Sequence, residues 1–306
     1  MQLYNSELLS IDKVGCPGGD GYLVATSTKT LLYDSGFAYS APAMVEELEA
    51  LLAGRELDYI FLTHSHYDHA TGSVWVKERW PNATILGDAH AAYVLERPGA
   101  RRLIEELNRA AATDAHVYEK ITAEQRDSVD YSCLQKLAIN EVVSEGSVID
   151  MGSVALEVFA APGHTRCCLM LWCPEERLLF GCESLGVLVN EVMVAPACLT
   201  GYHDSLASIA KAESLQPLHI VVSHRELLSS SAATDYLNSA REWTEKTAQL
   251  VWESHAGGTS KEDTVALLKE IFFTEDAREY QPEEAFDLNA KYLVDHLLAC
   301  KEQQPA

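Results

Sequence analysis

Six consecutive residues, His64-Ser65-His66-Tyr67-Asp68-His69, place three imidazoles and a carboxylate directly behind the apolar run Tyr59-Ile60-Phe61-Leu62. A strand with buried character that ends in four such donors constrains the chain more than any other stretch, because few structural demands are met by histidines at this spacing. In extended backbone the side chains of His64 and His66 point the same way, and a following turn brings Asp68 and His69 to the other side of a shared cavity. Neutral imidazole and carboxylate suit Zn, Fe or Mn, and two ions about 3.5–4 Å apart could be held there. The eight cysteines, at 16, 133, 167, 168, 173, 182, 198 and 300, form no Cys-x-x-Cys pair. Neither a thiolate zinc knot nor a disulfide scaffold is expected, and reduced thiols are.

Around this motif, strand and helix signals alternate. Residues 22–25 and 30–33 predict a hairpin closed by Asp34-Ser35-Gly36, and Val45, Leu48, Leu51 and Leu52 predict a helix between Pro42 and Gly54. Further strands are expected at 84–86, 154–159, 168–172 and 178–180. Between about 97 and 139 the spacing turns helical, with Leu103, Leu107, Ala110 and Ala111 in step and Thr122-x-x-Gln125 as a capping box. A helix bearing Leu206, Ile209 and Ala210 then leads through Pro217 into a strand at 218–222 that ends in Ser223-His224. Both halves of the chain thus deliver a histidine just past a buried strand. After Leu228 only helical spacing remains, with Thr259-x-x-Glu262 as a second capping box. The expected layout is an α/β domain over 1–230 with a helical insertion at about 97–139, followed by a helical extension over 231–306 packed on it.

Composition narrows the partners. Lys and Arg number 23 against 46 Asp and Glu, a net charge of −23 that repels phosphate backbones and anionic lipid surfaces. Neither nucleic acid nor a membrane is an expected partner; a small-molecule substrate is, and a homodimer is compatible with the composition. With 47% hydrophobic and 23% charged residues the chain has ordinary globular usage. No apolar run approaches the roughly 18 residues of a spanning helix, and the start lacks a basic-then-apolar leader, so a cytoplasmic location is expected.

His-x-His-x-Asp-His after a strand resembles the metallo-β-lactamase superfamily of metal-dependent hydrolases. The resemblance continues in order through Pro162-Gly163-His164-Thr165, Phe180-Gly181-Cys182-Glu183 and Val222-Ser223-His224, and covers about residues 20–230. It implies an αββα sandwich with two divalent ions at one end of its sheets, zinc first and iron or manganese as alternatives. By position, His64, His66 and His164 would hold one ion, Asp68, His69 and His224 the other, and Glu183 would bridge. Asp68 is also the expected catalytic carboxylate. A metal-activated hydroxide would then attack an ester or thioester carbonyl with no protein nucleophile. Asp34 and Thr63 are expected to support the ligands by hydrogen bonds, and Tyr67, Arg166 and Tyr202 to face substrate.

Three positions depart from the family pattern: Glu183 stands where an Asp is usual, Arg166 where Pro often follows His-Thr, and Arg225 where Gly often follows the last histidine. Cys167, Cys168 and Cys182 read as small buried groups, and His90, His116, His203, His219, His255 and His296 lack ligand spacing. The helical tail is similar in layout to glyoxalase II and the quinolone-signal thioesterase, which favours thioester chemistry. Rival readings are an iron-dependent persulfide dioxygenase-type enzyme, a lactonase or phosphodiesterase, and a metal-bearing regulatory protein with vestigial catalysis.

Overall fold

The computed structural model describes residues 1–113 and 121–302, so His116 and the middle of the 97–139 segment lie outside the described residues. The chain divides into two compact units, residues 1–159 with 171–175, and residues 160–170 with those from 176 onward. All three boundaries fall inside the stretch read from sequence as the α/β domain.

The first unit is built on a seven-stranded sheet in which the strands follow chain order. β1 (Gln2–Asn5), β2 (Ser10–Cys16), β3 (Gly19–Ala25) and β4 (Thr30–Tyr33) run antiparallel, the last two being the expected hairpin. From β4 on the pairing is parallel, so each further strand needs a crossover. α1 (Ala41–Leu52) leads to β5 (Tyr59–Phe61); α2 (Tyr67–Ala70) and α3 (Ser73–Arg79) lead to β6 (Thr84–Gly87). α4 (Ala89–Glu96) precedes the helical insertion, whose α5 (Pro98–Ala111) and α6 (Ala123–Asp127) lead to β7 (Glu141–Val142). Outside this sheet, β8 (Val148–Asp150) pairs antiparallel with β9 (Ala155–Ala160). The core joins Leu32, Ile60 and Leu62 at the sheet to Met44 and Leu48 of α1 and Ile104 of α5.

Two local expectations shift. β1 and β2 carry no sequence prediction, because in β2 the buried Ile11, Val14 and Cys16 are spaced three and then two apart, which spoils a period-two pattern. On α5 the buried face is Ile104, Asn108 and Ala111 while Leu103 is 54% exposed, so the stripe is turned by one residue from the one predicted. A polar residue in the middle of the true face hides it from a hydrophobicity count. The Thr122 capping box is present as expected.

β10 (Leu169–Cys173) carries the chain across the unit boundary. In the second unit, β11 (Leu178–Phe180) is followed by the small hairpin β12 (Val187–Leu188) and β13 (Val194–Ala195). α7 (Tyr202–Ser214) then leads into β14 (His219–Val221), which pairs parallel to β11 and antiparallel to β15 (Leu227–Ser229). α8 (Ser231–Ala256), α9 (Lys261–Phe272), α10 (Glu275–Arg278) and α11 (Glu283–Glu302) complete it, sharing a cluster of Val251, Leu268, Phe272, Leu293 and Leu297. The cap of α9 is Ser260, whose hydroxyl accepts from the Asp263 N–H, one residue beyond the predicted Thr259. Among the described residues no helix is long and apolar enough to cross a membrane.

Candidate metal centre

Seven side chains of metal-ligating type come from the predicted positions: His64, His66, Asp68 and His69 in the first unit, and His164, Glu183 and His224 in the second. In the first unit the end of β5 feeds them. The His64 ring lies 4.6 Å from His66 and 4.2 Å from His69, centroid to centroid. α2 is a single turn entered at His66, and it brings Asp68 Oδ2 to 3.7 Å from His69 Nε2. His64 and His69 are buried, whereas His66 and Asp68 are partly open.

One carboxylate organises this group. Asp34, itself 3% exposed, accepts from the Thr63 N–H at 2.8 Å and from the Thr63 hydroxyl at 2.9–3.0 Å, and its Oδ2 lies 2.8 Å from His69 Nδ1. These contacts fix two tautomers. A carboxylate only accepts, so His69 carries its proton on Nδ1. The Thr63 hydroxyl has one proton, which goes to Asp34; its oxygen therefore accepts from His64 Nδ1 at 3.0 Å. Both rings are left with the Nε2 lone pair as their donor atom, the arrangement metal-binding histidines require. Asp34 reaches this position in the left-handed region at φ 59°, which Asp tolerates better than most residues. The Ser35 N–H and hydroxyl both donate to the His69 carbonyl at 2.8 Å, tying the same turn to α2.

In the second unit Glu183 stands between two imidazoles. Its Oε2 lies 2.7 Å from His164 Nε2 and its Oε1 3.3 Å from His224 Nε2, one oxygen for each ring. His164 Nδ1 donates to the Ala197 carbonyl at 2.9 Å, and its backbone N–H donates to the Ser184 hydroxyl at 3.0 Å. Burial alone would push the His164 imidazole down, but the charge and hydrogen bond of Glu183 outweigh it and lift the group to about 9. His224, a predicted ligand, follows β14 at φ 62° and so, like Asp34, lies in the left-handed region. Gly163 turns the chain into His164 at φ 140°, and a Cβ there would meet the Ser205 hydroxyl at 2.1 Å.

The remaining predicted residues fall in three environments. Tyr67 is partly buried with its ring 5.5 Å from Phe37, and Arg166 is exposed. Tyr202 is only 7% exposed; its ring packs edge-on against Trp252 at 5.6 Å, among the helices of the extension. Cys167, Cys168 and Cys182 are buried, and burial holds the Cys168 thiol far above its ordinary range. Arg225 is turned away to the carbonyls of Leu188 and Val189 at 2.8 and 3.1 Å. His296 accepts the Tyr202 N–H at 3.0 Å, a capping role that ligand spacing does not announce. Ser35, Ser184 and the Ala197 carbonyl went unpredicted, and of these only Ser35, inside the Asp-Ser-Gly turn, had a local signal.

Residues 14–224 match the sequence pattern described as the metallo-beta-lactamase superfamily. Solved structures agree in fold. A metallo-beta-lactamase family protein from Thermus thermophilus is 15% identical with a TM-score of 0.64, the match covering 95% of this chain and 93% of that one. A beta-lactamase domain protein from Burkholderia ambifaria is 16% identical with a TM-score of 0.64, covering 98% and 89%. An archaeal metallo-beta-lactamase superfamily protein from Sulfolobus tokodaii is 20% identical with a TM-score of 0.55, covering 76% and 86%.

Proposed function

Because the chain belongs to the metallo-β-lactamase superfamily and has its fold, we propose that it is a metal-dependent hydrolase that cleaves a small-molecule ester or thioester. By the family's order of ligands, His64, His66 and His164 would hold one divalent ion, Asp68, His69 and His224 would hold a second, and Glu183 would be the carboxylate shared between them. The observation that carries this reading is the commitment of the Nδ1 atoms of His64, His69 and His164 to Thr63, Asp34 and Ala197. Each ring thereby offers Nε2 to an ion. The donor set, imidazole with carboxylate and no thiolate, suits zinc first and iron or manganese after it.

When bound, the ions supply an acidified water and a Lewis-acid hold on the carbonyl oxygen. The chain supplies the rest. Asp34 and Thr63 keep the rings of His69 and His64 in the tautomer that binds. Glu183, with an oxygen toward each of His164 and His224, is the group that spans. Asp68, whose side chain is 19% exposed, would be the carboxylate that accepts a proton from the attacking water. The helical tail, read from sequence as similar in layout to glyoxalase II and the quinolone-signal thioesterase, is the ground for preferring a thioester over a β-lactam.

Metal analysis of the chain loaded separately with Zn, Mn and Fe, followed by assay on acyl-CoA, glutathione-thioester, lactone and phosphodiester substrates, tests this. Two equivalents of metal and turnover of a thioester or ester are expected. Oxygen uptake on glutathione persulfide at enzyme-like rates, or no hydrolysis across the panel, overturns it.

A further inference from the structure

Asn108 lies on the buried face of α5, between Ile104 and Ala111, and is 0% exposed. An amide in that stripe costs desolvation that an apolar side chain would avoid, so its hydrogen bonds account for its place. Oδ1 accepts the Ala38 backbone N–H at 2.9 Å, and Nδ2 donates to the Ile104 carbonyl at 2.9 Å. A donor on one side and an acceptor on the other fix which way the amide points. Oδ1 also touches the Thr71 hydroxyl at 3.2 Å, and that hydroxyl reaches the Tyr67 carbonyl at 2.6 Å.

Ala38 stands on the segment that carries Asp34, and Thr71 on the one that carries the first-unit ligands. Ala38 lies four residues after Asp34, and Thr71 two residues after His69. The same segments are joined directly where the Ser35 N–H reaches the His69 carbonyl at 2.8 Å and the Gly72 N–H reaches the Gly36 carbonyl at 3.0 Å. We infer that Asn108 is a positioning residue for the metal ligands, a brace from the helical insertion that holds the Asp34 turn against the α2 turn and so keeps His69 Nδ1 on Asp34. The insertion then does more than wall a pocket: it fixes the support of a ligand.

This inference rests on the metal reading, and zinc alone is the probe. In the full-length chain, Asn108→Leu fills the same space without the amide, and Asn108→Asp, taken up in its protonated form, keeps both the acceptor for Ala38 and a donor for Ile104. Asn108→Leu is expected to weaken zinc about tenfold and to broaden or lose the His69 Nδ1–H resonance, and Asn108→Asp to restore both. A folded Asn108→Leu chain that binds zinc like the native one, with the resonance intact, overturns the brace. A native chain that takes up no zinc instead sinks the metal reading itself. Should Asn108→Leu fail to fold, hydrogen exchange on the native chain decides: zinc should slow the Ala38 amide and α5 together, and an unchanged α5 refutes the coupling.

Discussion

Replacing Asp34 by Asn isolates the tautomer argument from everything else at the site. Asn has the shape of Asp and tolerates the left-handed backbone at φ 59°, so the turn itself is undisturbed. Its single oxygen can remain on Thr63, which donates to Oδ1 from its N–H at 2.8 Å and its hydroxyl at 3.0 Å. The NH2 group then replaces the oxygen 2.8 Å from His69 Nδ1, setting donor against donor. His69 relieves the clash by moving its proton to Nε2, the atom the ion needs. Binding zinc afterwards requires the unfavourable tautomer to be restored.

A support contact of this kind is worth about 10–100-fold in metal affinity, or about 1.4–2.8 kcal/mol. The loss should fall on the ion held by His69 and spare the one held by His64, because the Thr63 arm survives. Competition titration of zinc against a chromophoric chelator reads the two affinities, and 15N-edited spectra of the imidazoles read the tautomer. One tight equivalent and one weakened equivalent are expected, with His69 protonated on Nε2 in the metal-free variant. Two unweakened equivalents, with the proton still on Nδ1, would refute the reasoning.

Three other perturbations test neighbouring parts. Glu183→Asp draws the carboxylate back by about 1.5 Å, one carbon–carbon bond; starting from 2.7 and 3.3 Å to the two imidazoles it cannot keep both, so metal analysis should show less than two equivalents. Gly163→Ala forces a Cβ to 2.1 Å from the Ser205 hydroxyl and 2.7 Å from its backbone in a left-handed turn, and should lower thermal stability by about 1–3 kcal/mol; an unchanged melting curve contradicts the packing. For the metal-free chain, the lifted His164 dictates a sign. Its pairing with Glu183 contributes stability fully below pH 6.5 and loses it as pH rises through about 9, so melting temperature should fall over that interval and Glu183→Gln should flatten the fall.

The candidate ligands were legible because their chemistry is local. Four lie in one six-residue stretch behind a strand, and His164, Glu183 and His224 each follow a strand or open a turn that hydrophobic runs mark. The strands β3 to β6 were legible for the same reason, since a run of apolar residues announces burial. What was not legible is who holds what. Hydrogen bonds from His69 to Asp34, or from Ala38 to Asn108, join residues dozens of positions apart, and the Ala197 carbonyl that orients His164 belongs to a residue whose side chain says nothing.

Asn108 shows how this blindness arises and what it conceals. Periodicity counts assign a helix face by its apolar residues, so the one polar group on the buried face of α5 pulled the predicted stripe onto Leu103, which is 54% exposed. The same group is polar there because a backbone N–H and a side-chain hydroxyl beyond its own helix meet it. Support residues are thus displaced from the patterns that reveal cores in proportion to how deeply they are buried, while the ligands they hold stand out. A misplaced stripe beside a legible ligand cluster is therefore a place to look for the residue that orients it.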